Sequence, residues 1–346
     1  MDQAVLKGTE PVIALADEGA IAQSLRTAGR WRWAETAFWA AIAACYFLFP
    51  RQLPIMNEIA ILALFALSLD LILGYGGIVS LGHAAFLGLG AYTAGLFALH
   101  ISADPLLGLA TAAMAAALLG FLTSLLLLRG SDLTRLMLTL AIALVLQEAA
   151  NRLGAYTGGA DGLQGIAMGP IAGRFAFDLF GQTAAAYSLI TLFILFLIAR
   201  RMMASPFGLS IKAIRDNPRR AAALGVPVNR RLMAIYTVAG AYAGIAGGLL
   251  AQTTQFVSLD VFDFQRSADL ILVLIIGGTG YLYGGLAGAI IFKLMQDGLA
   301  AITPQYWQFW VGLLLVIFVL TGRERISEAL SMLRRRLTGQ HLEPRR

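Results

Sequence analysis

Ten stretches of the chain are apolar enough to enter a lipid bilayer, and together they leave little sequence for any other kind of fold. They lie near 34–49, 59–75, 83–99, 106–128, 136–151, 184–199, 232–251, 270–280, 284–300 and 307–322. A helix rises about 1.5 Å per residue, so about 20 residues cross a hydrocarbon core about 30 Å thick. Several runs are nearer 16 residues and 270–280 is too short to span, so either their flanks extend them or some helices are broken or re-entrant. In lipid every backbone N–H and C=O must find a partner within the protein, which favours helices. The expected fold class is an all-α integral membrane protein with about ten transmembrane or partly spanning helices. Composition agrees, since 58% of the 346 residues are hydrophobic and only 13% are charged, with a mean hydropathy of +0.74.

A net charge of +6 spread over a soluble surface would point to nucleic acid. Here the basic residues are confined to a few loops, and orientation in the membrane explains them better, so no nucleic-acid partner is expected. Placing the segment Arg200–Arg231 inside puts 21 Lys or Arg residues on that side and four, Arg51, Arg152, Arg174 and Arg266, on the other. Both termini are then cytoplasmic and the number of crossings is even. The segment Ala268–Phe292 must be crossed twice or hold a pair of half-helices, with GGTGYLYGG at Gly277–Gly285 as the place to break it. The domain reading is a cytoplasmic segment 1–33, a transmembrane domain 34–322 with the cytoplasmic loop 200–231, and a basic cytoplasmic tail 323–346.

Residues 1–33 show no long apolar core beside a small-residue cleavage site, so they do not read as a signal peptide, and the first membrane helix serves as an uncleaved insertion signal. Arg26, Arg30, Trp31, Arg32 and Trp33 suit contact with membrane lipid, and a disordered tail is the second reading. The lone Cys45 excludes an internal disulfide, and no structural metal is expected.

The loop Arg200–Arg231 gathers eight Lys or Arg residues against one acid, Asp216, and must lie in water. Its interior carries helix punctuation. Asn217 can accept from free backbone N–H groups, Pro218 suits the first helical position, Arg219 to Leu224 can form about two turns, and Gly225 suits a left-handed residue after the end. A helix this short does not persist alone, so a docking surface must hold it.

The stretch Gly74–Tyr92 carries Gly74, Gly76, Gly77, Gly82, Gly88 and Gly90 at membrane depth. Glycines there either let helices pack closely or supply breaks whose freed backbone lines a polar path. His83 lies beside Ser80 among them, with Asp70 before them. The candidate translocation path is therefore Asp70, Gly76, Gly77, Ser80, Gly82 and His83. The competing readings are a structural hydrogen bond for His83 at a helix start and a carboxylate met by freed N–H groups for Asp70. The run beginning at Asp70 is faintly echoed from Asp269, as duplicated halves in transporters would be. Gln147, Glu148 and Asn151 read as an interface with water, and Lys293 can pair with Asp297 four residues on. The outer loop Gly154–Thr183, roughly 30 residues long, is either a solvated connection or a face for a solute-delivering partner. No phosphate-binding loop, G-x-S-x-G or H-E-x-x-H motif is present, so no catalytic residue is expected and any ATP hydrolysis belongs to another chain.

Three segments, LDLILGYGGIVSLGHAAFLGLGAYTAGL from Leu69, the loop from Ser205 through RDNPRRAAALGVPVNRR, and LILVLIIGGTGYLYGGLAGAII from Leu270, resemble the permease subunits of branched-chain amino acid ABC importers, of the LivM type. The likeness covers roughly residues 56–322. It implies an ABC importer permease in the inner membrane, paired with a second permease, driven by two cytoplasmic ATPase subunits and supplied by a periplasmic solute-binding protein. The chain itself would bind no cofactor, ATP being used by its partners. Asn217, Pro218, Arg219, Arg220, Ala221, Ala222 and Gly225 would form the coupling helix that sits on an ATPase. Many importers have Glu-Ala-Ala then Gly here, and Arg220 stands at the Glu position, so a salt bridge borrowed from that pattern does not carry over. Related permeases for urea, short amides or aromatic acids are an alternative, as is a secondary transporter using Asp70 and His83 for protons.

Overall fold

The computed structural model describes residues 33–313, apart from 129, 179 and 307, together with residue 316. The tail 323–346 and, apart from Trp33, the N-terminal segment lie outside the described residues. The described chain is helical, with α1 (Trp33–Leu48), α2 (Leu53–Asp70), α3 (Ala84–His100), α4 (Pro105–Leu127), α5 (Asp132–Arg152) and α6 (Gln182–Met203) forming its first half. Two short helices follow, α7 (Pro206–Asp216) and α8 (Pro218–Ala223), and then α9 (Val228–Thr254), α10 (Phe264–Gly277) and α11 (Leu282–Ile302). Among the described residues the only β-pairing is two isolated bridges, Leu163 with Val257 and Ile171 with Phe175.

Among the described residues six segments are long and apolar enough to cross a membrane: Pro50–Tyr75, α4, α5, α6, α9 and α11. The apolar helices α1 and α3 are shorter, at 16 and 17 residues. The 14 residues of α10 extend about 21 Å, short of a full crossing. The last apolar run, 307–322, is helical at 308–313 and 316.

Small residues set the packing. A Cβ on Gly90 of α3 would lie 2.2 Å from the Gly244 carbonyl oxygen of α9, and one on Gly240 2.7 Å from that of Ala116 in α4. The three helices therefore touch backbone to backbone, as small residues allow where apolar burial gives little driving force. α2 is buried almost throughout from Ala60 to Asp70. It ends by widening into a π turn over Leu71–Tyr75 and stops at Gly77, whose φ is +70°.

The expected break in 268–292 occurs at residues 278–281, where Gly278 and Gly280 take φ of +97° and +75°. A Cβ on Gly277 would lie 1.8 Å from the Gly284 carbonyl oxygen, and one on Gly288 2.1 Å from that of Val273. These pairings run in opposite directions, so α10 and α11 form an antiparallel hairpin.

The loop between α5 and α6 is not a freely solvated connection. Leu163 and Ile166 are buried in a second core cluster with Val257, Val261 and Phe262, where Phe262 stacks on Tyr92 at 5.6 Å. Asp178 caps α6 by accepting from the backbone N–H groups of Thr183 at 2.8 Å and Gln182 at 3.1 Å.

Candidate functional site

The basic loop contains two helices where the residue pattern was read as one. α7 starts at Pro206 and buries Gly208, Ile211 and Ile214, while Lys212 lies 5.4 Å over the ring of Tyr75. Arg200, expected in water with the rest of the loop, is instead largely buried and pairs with Glu35 of α1 at 2.8 Å.

α8 follows directly, with the expected caps. Asn217 is extended and its side-chain oxygen accepts from the Arg220 N–H at 2.9 Å, with Pro218 in the first helical position. At the other end Gly225 has φ +84°. Its N–H donates to Ala222, and the N–H of Val226 donates to Ala221, which together close the helix in a Schellman motif. The helix runs over 218–223, one residue ahead of the expected span.

Its three alanines do not share one face: Ala221 points inward, and Ala222 and Ala223 outward. Ala221, which the resemblance places in the helix that sits on an ATPase, is buried within this chain, while Ala222 and Ala223 are open to a partner. Arg219, Arg220 and Ala222 are exposed, and Leu224 is 76% exposed. The docking surface required by so short a helix is thus supplied in part by α7 and Val226.

A polar junction lies behind these helices. Arg215, at the end of α7, donates from Nη1 to the carbonyl oxygen of Gly74 in the π turn that ends α2. Asp70 accepts, at 2.7 Å, from the backbone N–H of Gly280 in the break between α10 and α11. Gly74 separates them so closely that a Cβ there would lie 2.0 Å from the Asp70 carboxylate and 2.3 Å from the Gly280 nitrogen. The end of α2 and the α10–α11 break therefore meet at backbone contact, and the helix preceding α8 joins them through the Arg215 side chain. The π turn and the break free backbone groups that charged side chains then satisfy.

The remaining candidate path residues sit elsewhere in the packing. His83 occupies the N-cap position of α3, fully buried, with Nε2 2.8 Å from the Ser68 hydroxyl and its ring stacked on Phe65 at 5.5 Å. Gly82 abuts the Thr139 backbone, where a Cβ would lie 1.8 Å from the carbonyl oxygen, and Ser80 is buried. Gly76 is buried next to Ile72, and Gly77 is exposed beside the Arg215 side chain. Among the described residues no hydrogen bond joins Asp70 to His83, whose partners are Gly280 and Ser68 respectively.

Sequence reasoning missed Arg215, Gly74 and Gly280 as a set, and missed α7, although Ser205-Pro206 and the spacing of Phe207, Ile211 and Ile214 mark a helix start and one apolar face. Lys293 pairs with Asp297 at 2.9 Å and also with Glu58 of α2 at 2.6 Å. At the end of α5, Gln147 donates to Asp263 at 2.6 Å, and Glu148 pairs with the exposed Arg152.

The family model for the branched-chain amino acid transport system permease component matches residues 52–320. The high-affinity branched-chain amino acid transport permease LivM of Salmonella typhimurium is 25% identical over 81% of this chain and 71% of its own length. LivM of Escherichia coli K12 is 26% identical over 73% of this chain, which spans 64% of that relative. A galactose/methyl galactoside import permease, MglC of Haemophilus influenzae, is 32% identical over 33% of this chain and 36% of its own length. No solved structure matches. With its family model covering most of the chain and six helices fit to span a membrane among the described residues, the chain belongs to the branched-chain amino acid transport permease family.

Proposed function

We propose that this chain is a transmembrane subunit of an inner-membrane ABC importer for branched-chain or related hydrophobic amino acids. It works with a second permease, two cytoplasmic ATPase subunits and a periplasmic solute-binding protein, and hydrolyses no ATP itself. The observation that carries this reading is α8: a helix capped at both ends, with Leu224 exposed beyond it, and joined through α7 to the Arg215–Gly74 contact. Arg219, Arg220 and Leu224, exposed on a helix capped at both ends, offer a partner a rigid basic face with one apolar contact. Asn217, Pro218, Arg219, Arg220, Ala222 and Gly225 present that surface, and Ala221 fixes it to the permease. Movement of α8 by an ATPase displaces α7, and Arg215 carries the displacement to the π turn of α2 and the Gly280 break.

The solute class is supported by the LivM relatives, which extend over most of the chain, whereas the sugar-permease likeness covers a third of it. Permeases for urea, amides or aromatic acids are the next reading. A proton-coupled carrier is less favoured, because Asp70 and His83 each hold a separate structural contact. The test is uptake of radiolabelled leucine by the native host, with and without this gene. Uptake lost on deletion, restored by the gene and competed by isoleucine and valine supports the reading. Uptake unchanged by deletion, or competed instead by urea or phenylacetate, overturns the solute class.

A further inference from the structure

A cavity of about 420 Å³ opens between α2, α3, α9, α10 and α11. It is the size of a small-molecule site, for which roughly 300–1,000 Å³ is usual. Its walls are of two kinds: Phe65, Leu87, Leu250 and Phe292 form an apolar side, and Glu58, Arg266, Asp269 and Lys293 a charged one. Neither the junction at Gly74 nor the α8 surface uses any of these residues.

The charges are not fully spent on one another. Lys293 is held by Glu58 at 2.6 Å and by Asp297, outside the cavity lining, at 2.9 Å, so two carboxylates share one ammonium group, and the Glu58 side chain remains 53% exposed. Asp269 accepts from Gln265 at 2.8 Å. Arg266 is exposed and takes part in no ion pair among the described residues. Glu58 and Lys293 lie in segments apolar enough to span a membrane, where ionisable groups are expensive and usually line a path. An arginine outside any ion pair, the Glu58 and Asp269 carboxylates and an apolar wall around one space match a molecule bearing a carboxylate, an ammonium group and a hydrocarbon side chain. A neutral solute such as urea or a sugar would leave both charges unmatched.

We propose that this cavity is a solute chamber of the permease that receives an α-amino acid as its zwitterion. The carboxylate meets Arg266, the ammonium group meets Glu58 and Asp269, and the side chain lies against Phe65, Leu87, Leu250 and Phe292. This rests on the amino-acid reading above, and two measurements keep the two claims apart.

The first is leucine uptake by the native system. The second is binding of radiolabelled L-leucine to the purified full-length chain in lipid nanodiscs, competed by 4-methylpentanoate, which lacks the ammonium group, and by isopentylamine, which lacks the carboxylate. Leucine is expected to bind, with each analogue weaker by roughly tenfold or more, as for a site built to pair a missing polar group. Arg266→Ala weakens leucine but not isopentylamine, Arg266→Lys restores part of the loss, and Glu58→Gln weakens leucine but not 4-methylpentanoate. In Glu58→Gln, Asp297 still holds Lys293, which limits damage to the fold. Uptake without leucine binding, or binding indifferent to these variants, overturns the chamber and leaves the amino-acid reading standing. Absence of both uptake and binding removes both.

Discussion

Arg215 of α7 donates a hydrogen bond to the carbonyl oxygen of Gly74, 141 residues earlier in the chain. Three residues after Arg215 the capped helix α8 begins, and next to Gly74 the Asp70 carboxylate holds the N–H of Gly280. The helix preceding α8, the end of α2 and the break between α10 and α11 are thus fixed to one another by two side chains, Arg215 and Asp70, each holding a backbone group of another segment. Packed interfaces of this kind shift between discrete arrangements rather than deforming continuously, which suits a part that must pass on a push.

Replacement of Arg215 by alanine should separate hydrolysis from transport. A hydrogen bond from a charged group contributes roughly 1.5–3 kcal/mol, and α8 with its exposed face is untouched. The expected outcome is an assembled complex with near-normal ATPase activity and leucine uptake reduced at least about tenfold, the change that 1.4 kcal/mol produces in an equilibrium constant. Uptake and ATPase rates on the same reconstituted preparation check it.

At Gly225 the conformation, not the space, limits substitution. Its φ is +84° and nothing lies within 4 Å of a Cβ built there. Gly225→Val should cost roughly 1–2 kcal/mol in the closing motif and uncouple uptake, whereas Gly225→Asn should retain most activity, since Asn tolerates the left-handed region. Equal uptake by the two variants at equal expression would contradict this.

Asp70 should be replaceable by a neutral acceptor. Asp70→Asn can still accept from the Gly280 N–H, so uptake should fall by less than about tenfold, the most that the loss of one net hydrogen bond would give. Asp70→Leu leaves that N–H unpartnered and should lose most of the activity. A proton-coupled role for the carboxylate would make the Asn variant as poor as the Leu variant.

Gly82 and Gly298 form a matched pair for stability. A Cβ at Gly82 would lie 1.8 Å from the Thr139 carbonyl oxygen, while one at Gly298 meets nothing within 4 Å. Gly82→Ala should destabilise by roughly 1–3 kcal/mol through overpacking. Gly298→Ala, in the interior of α11, should be neutral or stabilising by up to about 1 kcal/mol. Melting temperatures in one detergent compare the two.

Asp178 gives a pH signature outside the membrane segments. Burial works against its charge, but the N–H groups of Thr183 and Gln182 outweigh that and hold its carboxyl below the ordinary 3.8. A depressed carboxyl stabilises the fold above its unfolded value and loses that contribution as pH falls through the folded one. Asp178→Ala should therefore be less stable by about 1 kcal/mol near neutrality, as for a lost helix cap. The difference should vanish as the pH is taken well below 3.8; melting curves of both proteins across that range measure it.

Local features of this architecture are readable from sequence, and the contacts between distant segments are not. Asn217, Pro218 and Gly225 announce α8 because caps act within a few residues, and the glycines of 277–285 announce the break because no helix former replaces them. The inward turn of Ala221 is hidden, since a six-residue helix has too few positions to show an apolar face. Arg215 looks like the seven other basic residues of its loop, and only folding brings it to Gly74. Asp70 and His83 stand out together in sequence, yet the fold assigns one to Gly280 and the other to Ser68. The charges around the cavity come from α2, α10 and α11, and no spacing along the chain connects them.

Purification of the tagged chain from its native membrane in mild detergent, with co-purifying proteins identified by mass spectrometry, bears directly on the role of α8. The account predicts ATPase subunits and a second permease alongside the wild-type chain, with the ATPases lost and the second permease kept when residues 219–225 are replaced by a Gly/Ser linker. Recovery of the chain alone, together with proton-dependent uptake in vesicles without ATP, would contradict it.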